Sequence, residues 1–341
     1  MSKVTIGKLF KSSGMGACVL ALLFTGSLFI IASGGGGGSS APEETAVLNE
    51  SNAEAAAEAV IQSFEMSGPV DTLDGGLPFG TTGGTHQVEP PLRSMVNRAL
   101  GEYRTAVAKA EGKSLPFVQS DCLGGGTMDA PDLSEQDIIN AAQSGSLTVT
   151  MSYDNCIEGT QMMDGAITLQ VFGNFETQTI TSMSFTTNYF RTADSDVPSD
   201  MTMTNYRMTA NQLTFDGSDN LTAATFTVTG DTTGSLEGQA IDESFYNLAV
   251  RFENAGSGEY LSINGMLRNN CIGGWATVST AERLYMPTGV DCPTEGDFSI
   301  RSGGNTVRVA VNVSGLIDIY FGSTLVVNDV DCNNISGFCL N

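Results

Sequence analysis

Three aspartates in the stretch RTADSDVPSD, Asp194, Asp196 and Asp200, are the residues best suited to hold an ion. Carboxylate oxygens gathered in a turn are the hard ligands that Ca2+ takes, although the spacing is not that of an EF-hand loop. Asp and Asn also collect in turns for conformational reasons, as in FDGSDN with Asp216, Asp219 and Asn220, so calcium is the one cofactor left open and no other is expected. A second set of reactive groups is the cysteines. Cys122, Cys156, Cys271, Cys292, Cys332 and Cys339 are an even number beyond an N-terminal apolar run, and disulfides are their natural chemistry. Neighbour pairing, 122 with 156, 271 with 292 and 332 with 339, closes loops without crossing. No CxxC and no cysteine–histidine spacing occurs, which speaks against structural zinc.

Nucleophilic catalysis needs an imidazole beside its nucleophile, and the chain has one histidine, His86, in the Gly-rich stretch GGTHQVEPP. Gly124-Gly125-Gly126 follows Cys122 rather than a strand, and neither GxGxxG nor a Walker pattern is present, so a nucleotide site is not expected. Two carboxylates can hydrolyse a glycosidic bond if burial splits their pKa values. The most compact acidic pair of the C-terminal half, Asp242-Glu243, follows the turn-like TGSLEGQ, so a carboxylate hydrolase is the weaker alternative and no catalytic residue is assigned. Met162, Met163, Met183, Met201, Met203 and Met208 crowd the middle of the chain. Thioethers fill irregular cores, or they line a groove for an apolar ligand.

These groups belong to a chain of 341 residues whose formal charge is -23. The three lysines Lys3, Lys8 and Lys11 precede the apolar run, leaving 12 basic against 38 acidic residues beyond it, a net charge of -26. Nucleic acid and anionic headgroups are excluded as partners by such a surface. The basic start, the apolar run from Met15 to Ala32 and the small residues Ala32, Ser33 and Gly34 have the layout of a secretory signal over residues 1–34. The run is also just long enough for an uncleaved anchor, which would be the chain's one contact with a membrane. Export to the periplasm, the outer surface or the medium follows from either. Cys18 lies within the signal core, and Gly34 stands where a lipoprotein would carry its lipidated cysteine.

Residues 35–91 form a Gly/Pro-rich tether with a short helix at about 52–65, where Ser51-Asn52-Ala53-Glu54 reads as a capping box. A second helix is expected at 92–111 from Val96, Leu100, Tyr103 and Val107, and it opens a β domain that runs to 270. From Ser146 the hydrophobic period becomes two, and 26 of the 35 threonines lie beyond this point. Leu147, Val149, Met151 and Tyr153 alternate with Thr and Ser; Tyr246, Leu248, Val250 and Phe252 read as another inward set. The links are short and carry no helix, which excludes βαβ units and predicts a mainly β antiparallel meander, a sandwich or a curved roll, of ten to twelve strands. Residues 271–341 read as a disulfide-linked hairpin subdomain, continuous with that sheet or packed on it.

The export signal, the near-lipobox followed by GGGGGSS, the ESNAEAAAEAV helix, the DCLGGG turn and the NNC and CPTEG pair in a Thr-rich sheet are similar to those of a loosely defined group of uncharacterised exported proteins and lipoproteins of Gram-negative bacteria. That resemblance carries no activity with it. The expectation is a non-enzymatic envelope or extracellular protein with a structural, adhesive or partner-binding role toward a protein or a surface. The alternative is a periplasmic carrier of a lipid or another hydrophobic ligand.

Overall fold

The computed structural model of the chain describes residues 41–67, 122, 124–129, 140–141, 143–174, 179–195, 198–215, 221–236, 238–288, 293–312 and 314–331. The signal or anchor expected at 1–34, the helix expected at 92–111, His86, Asp196, Asp216, Asp219, Asn220, Cys292, Cys332 and Cys339 lie outside the described residues.

The protein is mostly antiparallel β, with a short N-terminal helix, α1 (Ala53–Ser67). Its strands are β1 (Thr127–Asp129), β2 (Ser146–Glu158), β3 (Gln161–Asn174), β4 (Thr179–Asp194), β5 (Ser199–Phe215), β6 (Leu221–Leu236), β7 (Gln239–Asn254), β8 (Gly258–Arg268), β9 (Trp275–Pro287), β10 (Glu295–Ser302), β11 (Asn305–Val311), β12 (Ile317–Phe321) and β13 (Thr324–Val330). All thirteen pair in sequence order in one meander, so β9 to β13 continue the sheet begun by β1 to β8. Alternation explains the two faces. Leu147, Val149, Met151 and Tyr153 of β2 are buried while Thr148 and Thr150 are exposed, as a period of two requires.

The long strands cannot run straight. The 17 residues of β5 would extend about 56 Å at roughly 3.3 Å per residue. They are bent instead, along a line of bulges facing glycines. Asn205 of β5 and Asn247 of β7 have left-handed backbones, φ 48° in each, and at both points the ladder slips by one residue. Asn tolerates this conformation better than any residue but glycine, because its short amide makes local hydrogen bonds. Between the two bulges sits Gly230 of β6, where a Cβ would lie 2.5 Å from the Tyr206 Cα. Gly265 of β8 receives the Asn247 carbonyl in the same way, at 2.5 Å from a would-be Cβ. Gly165 of β3 faces the backbone of Tyr189 and Phe190, and Asn155 of β2, φ 46°, faces Gly126. A bulge that turns a strand, met by a residue with no Cβ, is how a sheet takes a local bend without clashes.

The inward face is one continuous apolar cluster from β1 to β12 and α1. Phe226 and Phe252 stack with centroids 6.1 Å apart, and Tyr153 meets Phe190 edge-on at 5.6 Å. The helix places Ala53, Ala56, Ala57 and Val60 in this cluster and packs against β11, β12 and β13. Its start differs from the Ser51 box read in the sequence. Asn49 is the N-cap of a 3-10 turn, Glu50–Asn52, that leads into α1, and the reciprocal partner is Asn52. The preceding strap is tied to the start of β9: the Thr45 and Ala46 amides donate to the Trp275 carbonyl at 3.0 and 3.1 Å. Glu44 accepts from the Thr277 hydroxyl at 2.7 Å and from the Gly303 amide at 3.2 Å. No helix among the described residues is long and apolar enough to cross a membrane.

Candidate functional site: two faces of one sheet

The outward face carries short hydroxyl and amide side chains in register. Cross-strand pairing runs from Thr148 through Gln170, Ser184, Thr209, Thr227, Ala249, Asn264 and Ser279 to Ser299, one residue from each of β2 to β10. No member is charged. At about 4.8 Å per strand this row is roughly 38 Å long. Thr and Ser rows also bond to each other, Thr150 to Thr168 at 3.0 Å and Ser279 to Ser299 at 3.0 Å.

Charges flank this row, and several of them are paired. Asp200 accepts two hydrogen bonds of 2.7 Å from Arg191, a fork-to-fork pair that holds the Asp200 carboxyl below the usual carboxylate range. On the other flank Arg283 bonds Glu253 at 2.9 Å while its guanidinium lies 4.4 Å from the centre of the Tyr260 ring. Tyr285 lies 5.0 Å from Tyr260 and shares a 2.8 Å hydrogen bond with Ser257. Five tyrosines, Tyr189, Tyr246, Tyr260, Tyr285 and Tyr320, alternate to this outward side. Burial pushes the Glu259 carboxyl, next to Tyr260, upward.

The inward face has a polar interruption. Pairing across it links Tyr153, Gly165, Phe190, Met203, Thr232 and Glu243. The next strand adds Asn269, one residue past Arg268, whose partner is Ser244. Thr232, Glu243 and Asn269 are 5 %, 3 % and 4 % exposed, and Tyr206 beside the bend is 2 % exposed. The Tyr206 phenol is pushed well up, first by burial and then by the charge of Glu243. Asn269 caps its own turn, its Oδ1 accepting from the Cys271 and Ile272 amides at 3.1 and 3.3 Å.

The residues singled out in the sequence fall into this frame as follows. Asp200 is committed to Arg191, Asp194 ends β4, and Asp196 lies outside the described residues. Among the described residues no group of three or more His, Cys, Asp or Glu side chains is placed to hold a metal ion. Cys122 and Cys156 form a disulfide, with Cα atoms 5.4 Å apart, that fastens the DCLGGG turn to β2; Cys271 is disulfide-bonded as well. The glycines of that turn are structural. The Gly124 amide donates to the Ile157 carbonyl at 2.8 Å, and the Ile157 amide returns to the Gly125 carbonyl at 2.9 Å. Asp242 and Glu243 point to opposite faces: Asp242 is exposed and bonded to Arg268 at 3.3 Å, while Glu243 is buried. They are not a pair. Met183, Met201, Met203 and Met208 all face inward. The buried position of Glu243 escaped the sequence reading, because the bulge at Asn247 shifts the period between Leu248 and Glu243.

No family model matches the chain, and no curated protein or solved structure matches it either.

Proposed function

We propose that this is an exported, non-enzymatic β scaffold that binds an uncharged, hydrogen-bonding partner through its outward face. The observation that carries this reading is the nine-strand row from Thr148 to Ser299, which stays free of charge in a chain of net charge -23. A fixed lattice of hydroxyls and amides exchanges water for partner hydrogen bonds at little cost in side-chain entropy, since Thr and Ser have few rotamers to lose. The tyrosines that flank it add rigid, amphipathic contact area of the kind enriched at recognition surfaces. Arg191, Arg251, Arg268, Arg283 and Arg308 are held by carboxylates, which lowers the free charge near the row.

The test is photo-crosslinking in the protein's own cell envelope. With p-benzoylphenylalanine at Thr227, at the centre of the row, a macromolecular adduct is the expected product. The same probe at Ser257, in the turn between β7 and β8, is expected to give far less. Adducts of equal yield from both positions, or none from Thr227, would overturn the reading.

A further inference from the structure

We infer that the C-terminal segment, residues 332–341, turns back along the edge strand β13 and is fastened there by a disulfide between Cys339 and Cys271. The inference concerns the end of the sheet rather than its outward face, so it stands apart from the partner surface proposed above.

Cys271 carries the inference. It is disulfide-bonded, it lies in the turn between β8 and β9, and Cys122 and Cys156 are already taken by each other. The turn is fixed in place: the Cys271 and Ile272 amides donate to Asn269 Oδ1, and the Asn270 side chain donates to the Ala240 carbonyl at 3.3 Å. Cys292, the next cysteine in the sequence, follows the opposite end of the ladder. Tyr285 pairs with Tyr260 and Trp275 with Arg268, so the length of β8 between those partners, about 26 Å, separates the two ends. The Thr294 amide donates to the Tyr285 carbonyl at 2.9 Å, and Cys292, just before it, reaches at most about 7 Å further. A disulfide needs Cα atoms within roughly 7 Å of each other, so Cys292 falls short of Cys271.

Cys332 falls short for the same reason. It follows Val330, which pairs with Ile317; Ile317 pairs with Val311, next to Ala310 opposite Asp297. From that level to Trp275 is about 23 Å along the strands, and β13 lies four strand spacings, about 19 Å, to the side. The diagonal back to the Cys271 turn is therefore roughly 30 Å, and the chain from Val330 to Cys339 spans about 30 Å when extended. Cys339 reaches Cys271 only if the segment runs extended and antiparallel to β13. Such a course suits the edge it follows. Among the described residues β13 pairs only with β12, and Leu325 on it is 44 % exposed. An extended segment takes up the N–H and C=O groups of an open edge, and Ile335, Phe338 and Leu340 bring apolar side chains to Leu325. Cys292 and Cys332 are then left for each other at the far end, where Thr294 Cγ2 lies 3.9 Å from a would-be Cβ of Gly315, in the hairpin that leads to Ile317. Closing either bridge takes two protons and two electrons from two thiols, and a disulfide oxidant of an exported compartment accepts them to become a dithiol.

The experiment maps the bridges of the full chain, recovered from its own envelope or medium and digested without reduction. Trypsin cuts after Arg268, Arg283, Arg301 and Arg308, which puts Cys271 on peptide 269–283, Cys292 on 284–301, and Cys332 and Cys339 on 309–341. All three are expected as one linked species that falls apart on reduction. Peptide 309–341 released on its own would overturn the proposal. In Cys339→Ser, alkylation of the folded protein should label Cys271 and neither Cys292 nor Cys332, and hydrogen exchange over β13 should quicken at least tenfold. Label at Cys292 or Cys332 instead, or unchanged exchange over β13, would overturn it as well. If Cys339→Ser fails to fold, a further cut of the wild-type species after Phe338, which parts Cys332 from Cys339, decides alone: Cys271 must stay with Cys339.

Discussion

The strands β2 to β7 and the strands β10 to β13 solve the same problem with different means. The first set runs 13 to 17 residues per strand and needs bulges at Asn155, Asn205 and Asn247, with glycines opposite, to bend around its core. The second set runs 5 to 8 residues, and in β10 and β11 alternates cleanly, with Phe298, Ile300, Val307 and Val309 inward. Its β11, β12 and β13 are covered by α1, and its bulges fall near strand ends, at Asp297 of β10 beside Gly296 and at Asp329 of β13. Length makes the difference: a short strand can be covered by one helix, whereas a long one has to curve over its own core. The bent half is also where the unusual chemistry sits, since the buried polar row lies just below the bend.

Breaking the bend of the long strands should have a large effect. Gly230→Val sets a Cβ 2.5 Å from the Tyr206 Cα at a backbone φ of 141°, so loss of roughly 4 kcal/mol or more is expected, enough to leave little folded protein in a denaturant titration. Next in size is the staple at the near edge. Replacing Cys122 and Cys156 together by serine opens a loop of sequence separation 34, and about 3–4 kcal/mol of stability should go with it by the loop-entropy estimate. Asn247→Val, which puts a β-branched residue at φ 48°, should lose about 1–3 kcal/mol, and Asn247→Gly should recover most of that; equal melts for the two would remove the bend from the explanation.

The smallest effects compare two carboxyls shifted in opposite directions. Asp200 is held below its ordinary value of 3.8 by Arg191, so its contribution is present above that value and is lost as pH falls through the lower folded one. It is half exposed, and Asp200→Asn should cost well under about 1 kcal/mol at neutral pH and nothing in strong acid. Glu259 is raised above 4.5 by burial, so its penalty is absent below that pH and appears as pH rises through the folded value. Glu259→Gln should therefore raise the melting temperature slightly at pH 7 and leave it unchanged at pH 4. A variant that gains equally at both pH values would contradict the burial argument.

Much of this architecture is legible in the residues. The alternation of Leu147 to Tyr153, the threonines beyond 146 and the short links give the antiparallel meander. The mid-strand phase shifts are harder to read. Tyr246, Leu248, Val250 and Phe252 look like one inward set, yet Asn247 takes a left-handed turn and sends Tyr246 outward. Counting by twos across the bulge then misplaces Glu243, and the buried row vanishes from view. Asn155, Asn205 and Asn247 are each followed at once by a buried residue, Cys156, Tyr206 or Leu248, but the same TNY triplet at 187–189 ends on the exposed Tyr189, so the triplet alone does not mark an inward turn of the chain. Spacing alone likewise could not show that Asp200 is taken up by Arg191, because that pairing depends on the register of β4 against β5.

The measurement closest to the central claim is retention of the protein by its own cell envelope, wild type against Thr209→Asp/Thr227→Asp. These substitutions put two like charges opposite each other in the uncharged row, which lowers the melting temperature modestly without touching the core, and retention of the folded variant should fall tenfold or more. Undiminished retention by the folded double variant would contradict recognition through the outward face.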